Sequence, residues 1–253
     1  LVTKIYALSK LPLPAALTAI AATTGDKPAA VVSAPAPIPT SPKVMRVSPL
    51  QPGAKLNPMG LHALAIASST GGPQALMQFF GQLKGKLNGI PIFITQHMPP
   101  TFTTILAEQL AKAGEKPCKE GADGDEAKPG HIYVAPGDYH MVAERQDKRV
   151  VIRLNQHAPE NFCRPAVDPL LRSAVAACGR HLLAVILTGM GQDGLLGCRA
   201  VAAAGGAVWA QDEASSVVWG MPGAVARAGL AASQAPPDAL GEAMARLCGG
   251  VPA

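Results

Sequence analysis

The sequence predicts an α/β fold, a three-layer, doubly wound and mostly parallel sheet with helices on both faces and an antiparallel hairpin at one edge. After residue 60, short continuous apolar runs alternate with segments of helical periodicity, which is the pattern of a sheet covered by helices on both sides. With 253 residues, of which 48% are hydrophobic and 15% charged, the chain can bury a core of that size.

Four continuous apolar runs predict the central strands, because parallel strands are buried on both faces. They cover residues 61–67, 91–96, 182–188 and 207–211. Two helices are predicted from apolar side chains that recur on one helical face, at Phe102, Ile105, Leu106 and Leu110 and again at Val167, Leu170, Leu171 and Val175.

Residues 130–154 differ, because three short apolar runs (130–134, 139–143 and 150–154) follow one another closely. The connections contain Pro136-Gly137-Asp138 and Gln146-Asp147-Lys148, which leave no room for a crossover helix. Neighbouring parallel strands need a long crossover, whereas antiparallel strands need only a turn. The segment therefore predicts antiparallel strands or a hairpin beside the parallel sheet.

The composition divides the chain into three parts. Residues 24–58 are rich in Ala and Pro, which favours an extended linker, and residues 59–253 form the predicted α/β domain. Residues 1–23 contain only a short amphipathic segment, which we interpret as the remnant of an upstream domain. Their basic start and small apolar residues also imitate a secretory signal, but Pro12 and Pro14 interrupt it.

Composition and spacing also argue against several classes of function. A net charge of +5 with only 4% aromatic residues and no nucleic-acid module predicts no nucleic-acid partner. No apolar run reaches the roughly 18 residues of a membrane span, so no membrane insertion is expected. The five cysteines include no close pair and the histidines lack metal-binding spacing, so we predict neither disulfides nor a metal site.

A serine lies where the first predicted strand meets a helix. Ser69-Thr70-Gly71-Gly72 follows the apolar run directly, and the helical segment begins beyond it. Such a junction presents free backbone N–H groups and the positive end of a helix dipole, which suit a bound anion or an oxyanion formed during acyl transfer. From these residues alone, Ser69 either binds a phosphate or carboxylate or acts as a nucleophile.

Two further reactive side chains follow other predicted strands. His97 ends the second strand, and Asp193 lies just beyond the third. The carboxyl ends of parallel strands meet at one edge, so a hydroxyl, an imidazole and a carboxylate can converge there as a catalytic triad. Taken singly, each also fits a structural role, such as a partly buried histidine or a helix cap.

Several ordered motifs between residues 61 and 230 resemble the chemotaxis protein-glutamate methylesterases, the CheB family. The motifs are Ser69-Thr70-Gly71-Gly72, Thr95-Gln96-His97-Met98-Pro99, the run from Pro129 to Asp138, Arg164-Pro165-Ala166-Val167-Asp168, the run from Leu187 to Gly194, the run from Ala210 to Ser215, and Trp219-Gly220-Met221-Pro222. The chain order Ser, His, Asp and the lack of Gly-x-Ser-x-Gly distinguish it from lipase-type hydrolases.

The resemblance implies a serine hydrolase that releases methanol from glutamate methyl esters on chemoreceptors and also deamidates receptor glutamines. It implies Ser69 as nucleophile, His97 as general base and Asp193 as the residue orienting His97, with no cofactor. We expect Ser69 Oγ about 3 Å from one ring nitrogen of His97, and Asp193 at the other. Ser68 should face the opposite side of the strand from Ser69.

The same resemblance supplies further candidates. The backbone N–H groups of Met190 and Thr70 are candidate oxyanion donors, and Arg164 either holds substrate or forms an ion pair with Asp168 or another acid. The implied partners are the cytoplasmic helices of methylated chemoreceptors and, in the parent protein, an upstream phospho-receiver domain, which places the protein in the cytoplasm. The competing hypotheses are a phosphate- or carboxylate-binding module and an inactive receptor-docking scaffold.

Overall fold

The fold is taken from a computed structural model that describes residues 60–84, 86 and 89–249. The predicted remnant, residues 1–23, and the whole of the predicted linker, residues 24–58, lie outside these residues. The strands are β1 (Ala63–Ser68), β2 (Ile92–Gln96), β3 (Cys118–Glu120), β4 (Ile132–Val134), β5 (His140–Gln146), β6 (Arg149–Asn155), β7 (Leu182–Ile186), β8 (Ala207–Gln211) and β9 (Ser233–Ala235). The helices are α1 (Gly72–Gly81), α2 (Phe102–Gly114), α3 (Val167–Cys178), α4 (Leu195–Ala203), α5 (Met221–Arg227) and α6 (Pro237–Gly249).

Within the described residues, seven strands form one parallel sheet in the order β3-β4-β2-β1-β7-β8-β9. Strand β1 is central, and all of its residues are buried. The chain leaves β1 towards β2 on one side, and β7 later pairs with its other side. The direction of winding therefore reverses between β1 and β7, and ligands of open α/β sheets bind at the carboxyl end of such a switch point.

Side chains of β1 alternate between two cores, one on each face of the sheet. Leu64 and Ile66 pack with α1, α2 and α6, while Ala65 and Ala67 pack with α3, α4 and α5. The small alanines leave room for the helices on their side. The predicted three-layer arrangement with helices on both faces is thereby confirmed.

The segment 130–154 is only partly as predicted. Strands β5 and β6 form the expected antiparallel hairpin, but as a separate sheet rather than at an edge of the main one. The hairpin is anchored to α3 by hydrogen bonds from Ala143 N to Ser173 Oγ (3.0 Å) and from Arg145 Nε to Ala177 O (2.6 Å).

The prediction of an antiparallel strand at residues 130–134 is wrong. Strand β4 pairs parallel with β2 and β3 in the main sheet. Its crossover is the non-helical segment between β3 and β4, which is long enough to return the chain to the same end of the sheet. In the described part of the chain, no helix is long and apolar enough to cross a membrane.

Candidate active site

Ser69 lies at the carboxyl end of β1, where the chain turns into α1. Its N–H donates to Thr188 O (3.0 Å), which extends the pairing of β1 with β7, and its carbonyl accepts from Gly72 N (2.8 Å). Gly71 makes the turn at φ 79°, a left-handed conformation that glycine adopts without strain. The predicted junction of strand and helix is therefore present, and α1 begins directly beside the Ser69 hydroxyl.

The adjacent serines have different surroundings. Ser68 is fully buried and its Oγ donates to Gln96 Oε1 (2.6 Å). Ser69 Oγ has no hydrogen-bond partner among the residues that the structure describes. Gln96 then donates through Nε2 to Ser69 O (2.9 Å) and His97 O (3.1 Å), so one amide ties the two strand ends together.

His97 and Asp193 are in direct contact. His97 Nε2 lies 2.7 Å from Asp193 Oδ2, and the side chains are 12% and 2% exposed. A carboxylate only accepts hydrogen bonds, so this contact places the imidazole proton on Nε2 and leaves Nδ1 as the proton acceptor. The backbone of His97 is fixed by its N–H bond to Ser68 O (3.1 Å), which continues the pairing of β1 with β2.

Asp193 also caps helix α3. The N-cap residue of that helix, Ala166, has no side-chain oxygen, and Asp193 accepts from Val167 N (2.7 Å) and Asp168 N (3.2 Å) instead. Burial by itself raises the pKa of Asp193, but the hydrogen bonds from His97 and Val167 outweigh it and hold this pKa below its ordinary value. The carboxylate is thus charged at neutral pH while it both orients His97 and caps a helix.

The second ring nitrogen of His97 faces a cysteine. Cys163 Sγ lies 3.5 Å from His97 Nδ1. Burial, followed by the charge of Asp193, raises the pKa of the Cys163 thiol, which therefore donates its proton weakly to Nδ1. Within the described residues, no hydrogen bond joins Ser69 Oγ to His97, and the contact expected between them stays a prediction.

Two backbone N–H groups near Ser69 are available to a ligand. Those of Met190 and Thr70 have no acceptor in the part of the chain that the structure describes. The loops carrying them are braced by Gly189 N to Val218 O (3.0 Å) and by Thr188 Oγ1 to Thr70 O (3.0 Å). Fixed, unpaired donors at a strand end are what an oxyanion requires.

A small cleft of about 190 Å³ opens over the His97–Asp193 pair. Pockets for drug-sized ligands measure roughly 300–1,000 Å³, so this cleft suits a single side chain. It is lined by His97, Asn161, Phe162, Cys163, Met190, Gly191, Gln192 and Asp193. Phe162 and Met190 are largely exposed and give the cleft an apolar rim. Among the described residues, no group of three or more His, Cys, Asp or Glu could hold a metal ion.

Arg164 is engaged in an ion pair, and its partner is Asp138 rather than Asp168. Its Nε and Nη2 lie 3.0 and 2.7 Å from Asp138 Oδ1, and Nη1 donates to two backbone carbonyls at 3.1 Å. Asp168 instead accepts from Gly197 N (2.7 Å) and Asn161 Nδ2 (3.1 Å). The guanidinium is thus held in place by the segment that precedes it.

Sequence reasoning did not single out Gln96, Asn161 or Cys163. Gln96 carries a weak signal, since a polar residue at the end of a buried strand needs a partner. Asn161 and Cys163 carry none, because they reach the site from a loop that no strand end identifies.

The CheB methylesterase family profile matches residues 64–244. A protein-glutamate methylesterase/protein-glutamine glutaminase of group 2 operon from Rhodopseudomonas palustris is 53% identical over 193 residues, which are 76% of this chain and 49% of that protein. A protein-glutamate methylesterase/protein-glutamine glutaminase 1 from Paramagnetospirillum magneticum is 49% identical over 247 residues, 93% of this chain and 61% of that protein.

A solved structure agrees with both the fold and the family. The crystal structure of the Thermotoga maritima CheB methylesterase catalytic domain matches with a TM-score of 0.71 and 40% identity, and the match covers 74% of this chain and 98% of that one. The described domain is thus a doubly wound α/β domain with an imidazole–carboxylate pair at its switch point. The chain belongs to the CheB methylesterase family. It spans 49% to 61% of the length of the two curated relatives described.

Proposed function

We propose that this chain is a serine hydrolase that releases methanol from glutamate methyl esters on chemoreceptors and also deamidates receptor glutamines. The observation that carries the proposal is the His97–Asp193 pair, whose Nε2 and Oδ2 atoms lie 2.7 Å apart. The pair lies at the carboxyl edge of the sheet, where Ser69 directly follows β1. Membership of the CheB methylesterase family favours this reading over a phosphate- or carboxylate-binding module or an inactive scaffold.

In the first half of the reaction, Ser69 Oγ attacks the side-chain carbonyl carbon of the glutamyl ester. His97 Nδ1 takes the hydroxyl proton, and the negative charge that forms on the carbonyl oxygen is stabilised by the N–H groups of Met190 and Thr70. The tetrahedral intermediate then breaks its bond to the methoxy group. His97 Nδ1 gives the proton to the methoxy oxygen, so methanol leaves and a glutamyl ester of Ser69 remains.

In the second half, a water molecule replaces methanol in the same positions. His97 Nδ1 takes a proton from the water as its oxygen attacks the acyl carbon, and then returns it to Ser69 Oγ as that bond breaks. The product is a glutamate carboxylate. A glutamine amide follows the same course with ammonia as the leaving group, so one site accounts for both activities.

Asp193 supports both steps without exchanging a proton. Its carboxylate fixes the Nε2–H form of His97 and stabilises the imidazolium that forms when Nδ1 is protonated. The four hydrogen bonds that it accepts keep it ionised and in place. For substrate to react, Ser69 must take the position at Nδ1 that the Cys163 thiol holds at 3.5 Å.

The substrate and setting are part of the proposal. Relatives at about 50% identity carry the name protein-glutamate methylesterase/protein-glutamine glutaminase, and the small apolar-rimmed cleft suits one esterified side chain. We propose the cytoplasmic helices of methylated chemoreceptors as substrate, with a cytoplasmic location. Since the chain spans about half the length of one such relative, we also propose that an upstream phospho-receiver domain accompanies it in the parent protein.

The proposed function is tested by methanol release. Membranes that carry methyl-labelled chemoreceptors are incubated with the chain, and volatile label is collected. Release well above that of heat-denatured protein is expected. In parallel, a fluorophosphonate that labels activated serines should modify Ser69, as located by peptide mass mapping. Release at the level of the denatured control, or an adduct on another serine, would contradict the proposal.

Substitution of Gly189 by alanine should displace Ser69 and lower the rate of methanol release about 10- to 100-fold. A methyl group at Gly189 would lie 2.8 Å from Ser69 Cβ and would also meet Met221 Sδ. The sulfur can move aside, whereas Ser69 Cβ clears the methyl group only if the end of β1 shifts and carries Oγ with it. Gly81→Ala is the matched control, because a methyl group there meets nothing within 4 Å. Equal rates for the two variants would argue against Ser69 as the nucleophile.

A further inference from the structure

The turn Glu160–Cys163 has an unusual backbone for its sequence. Glu160 N donates to Cys163 O (3.2 Å) and Cys163 N to Glu160 O (2.9 Å), which closes a tight turn. Its central residues, Asn161 and Phe162, have φ of 52° and 63°. Asn tolerates this left-handed conformation, whereas a bulky residue such as Phe adopts it rarely. The surroundings must therefore hold the turn in place.

The Asn161 side chain supplies one such hold, because it links two buried carboxylates. Its Nδ2 donates to Asp193 Oδ1 (2.9 Å) and to Asp168 Oδ2 (3.1 Å). The residues Asp193 and Asp168 are only 2% and 1% exposed. Like charges repel strongly when water is excluded, and an amide that donates to both reduces that cost while fixing their orientation.

Among the described residues, each of the other donors contacts one of the two carboxylates, and Asn161 is the side chain that joins them. On Asp193, His97 and Val167 N occupy Oδ2, and Asp168 N shares Oδ1. On Asp168, Gly197 N occupies Oδ1. The nearby Arg172 guanidinium is paired with Glu160 at 2.6 and 3.0 Å, and the Cys163 thiol faces His97. Burial, opposed by the hydrogen bond from Gly197 N, raises the pKa of Asp168, and the charge of Asp193 raises it further.

We propose that Asn161 is a positioning residue that fixes the Asp193 carboxylate so that Oδ2 faces His97 Nε2. The amide and Asp168 N together hold Oδ1, and Oδ2 is thereby directed at the imidazole. Asn161 acts through Asp193 and takes no part in bond making. The inference rests on the proposed function, since it assigns a role to a residue that supports the proposed triad.

Asn161→Gly tests the inference, because glycine accepts the left-handed backbone while the amide is lost. We expect kcat for methanol release to fall about 10- to 100-fold with KM little changed, as a loosely held carboxylate orients His97 less often. Asn161→Asp replaces the donor by a third carboxyl group. A carboxyl group has at most one proton to donate and cannot join both carboxylates, so kcat should again fall with KM little changed.

Asp147→Gly is the matched control. It relieves a positive φ of 53° at the exposed end of the β5–β6 hairpin, away from the cleft. Thermal unfolding of each variant separates loss of fold from loss of rate. The inference is overturned if Asn161→Gly keeps a kcat within about twofold of Asp147→Gly, or if Asn161→Gly and Asn161→Asp raise KM while leaving kcat unchanged. Ser69→Ala separates the two proposals, because full activity in that variant would refute the proposed function itself.

Discussion

Substitution of Ser69 by alanine is expected to lower the rate of methanol release by about 10⁵- to 10⁶-fold. The variant has no oxygen that can bond to the acyl carbon, so the acyl-enzyme route is closed. The backbone donors at Met190 and Thr70 remain, and they should preserve a residual rate above that of uncatalysed hydrolysis. Label release from methylated receptor membranes measures the loss directly, and the fluorophosphonate adduct should disappear with it.

Ser68→Ala is the matched control, because it removes the same hydroxyl one residue earlier. Among the described residues, Ser68 Oγ bonds only Gln96 Oε1, so its loss should destabilise the fold by about 1 kcal/mol and lower the rate less than tenfold. The two serine variants should differ in rate because neighbouring side chains of a strand lie on opposite faces of the sheet. A larger loss of rate in Ser68→Ala than in Ser69→Ala would show that the nucleophile was assigned to the wrong serine.

The central strands could be predicted because their residues are apolar without interruption. Strands β1, β2, β7 and β8 lie where continuous runs such as that of β1, Ala63–Ser68, indicated them. The short edge strands β3 and β9 were not predicted, since three residues that include Lys119 or Gln234 carry no such signal. The direction of β4 could not be read either, because a non-helical crossover looks in sequence like a long hairpin loop.

The sequence predicted only those residues of the candidate site that directly follow a predicted strand. Ser69, His97 and Asp193 each follow a buried strand, and the structure brings His97 and Asp193 together at 2.7 Å. The contacts of the turn Glu160–Cys163 were beyond prediction, because they join distant parts of the chain. Cys163 is 66 residues from His97, and Asn161 is 32 residues from Asp193. No local pattern encodes such pairs; they depend on how the loops pack.

Asp193→Asn is expected to lower kcat by on the order of 10⁴-fold, although it changes a single atom. All four groups that contact this carboxylate are donors: His97 Nε2 and Val167 N on Oδ2, and Asn161 Nδ2 and Asp168 N on Oδ1. An Asn amide must therefore turn its NH₂ towards one of the two backbone N–H groups, which cannot reverse. If NH₂ faces Nε2, the imidazole proton moves to Nδ1 and the base is lost.

Asp168→Asn distinguishes catalysis from stability. Asp168 is as buried as Asp193 and caps α4 through Gly197 N (2.7 Å), but in the described part of the chain it forms no hydrogen bond with His97. Both substitutions should lower the free energy of unfolding, by about 1–3 kcal/mol, while only Asp193→Asn should lower kcat by orders of magnitude. Comparable losses of kcat in the two variants would mean that Asp193 serves the fold rather than His97.

The stability that Asp193 contributes should also depend on pH with a definite sign. Burial opposes ionisation, but the hydrogen bonds from His97 and Val167 hold the pKa of Asp193 below its ordinary value in the folded protein. Such a group stabilises the fold fully above the ordinary carboxyl pKa, and the contribution is lost as pH falls through the folded-state pKa. The difference in unfolding free energy between the unsubstituted chain and Asp193→Asn should therefore shrink on acidification. A difference that stayed constant from neutral pH to acid would mean that capping of α3 does not require the charged carboxylate.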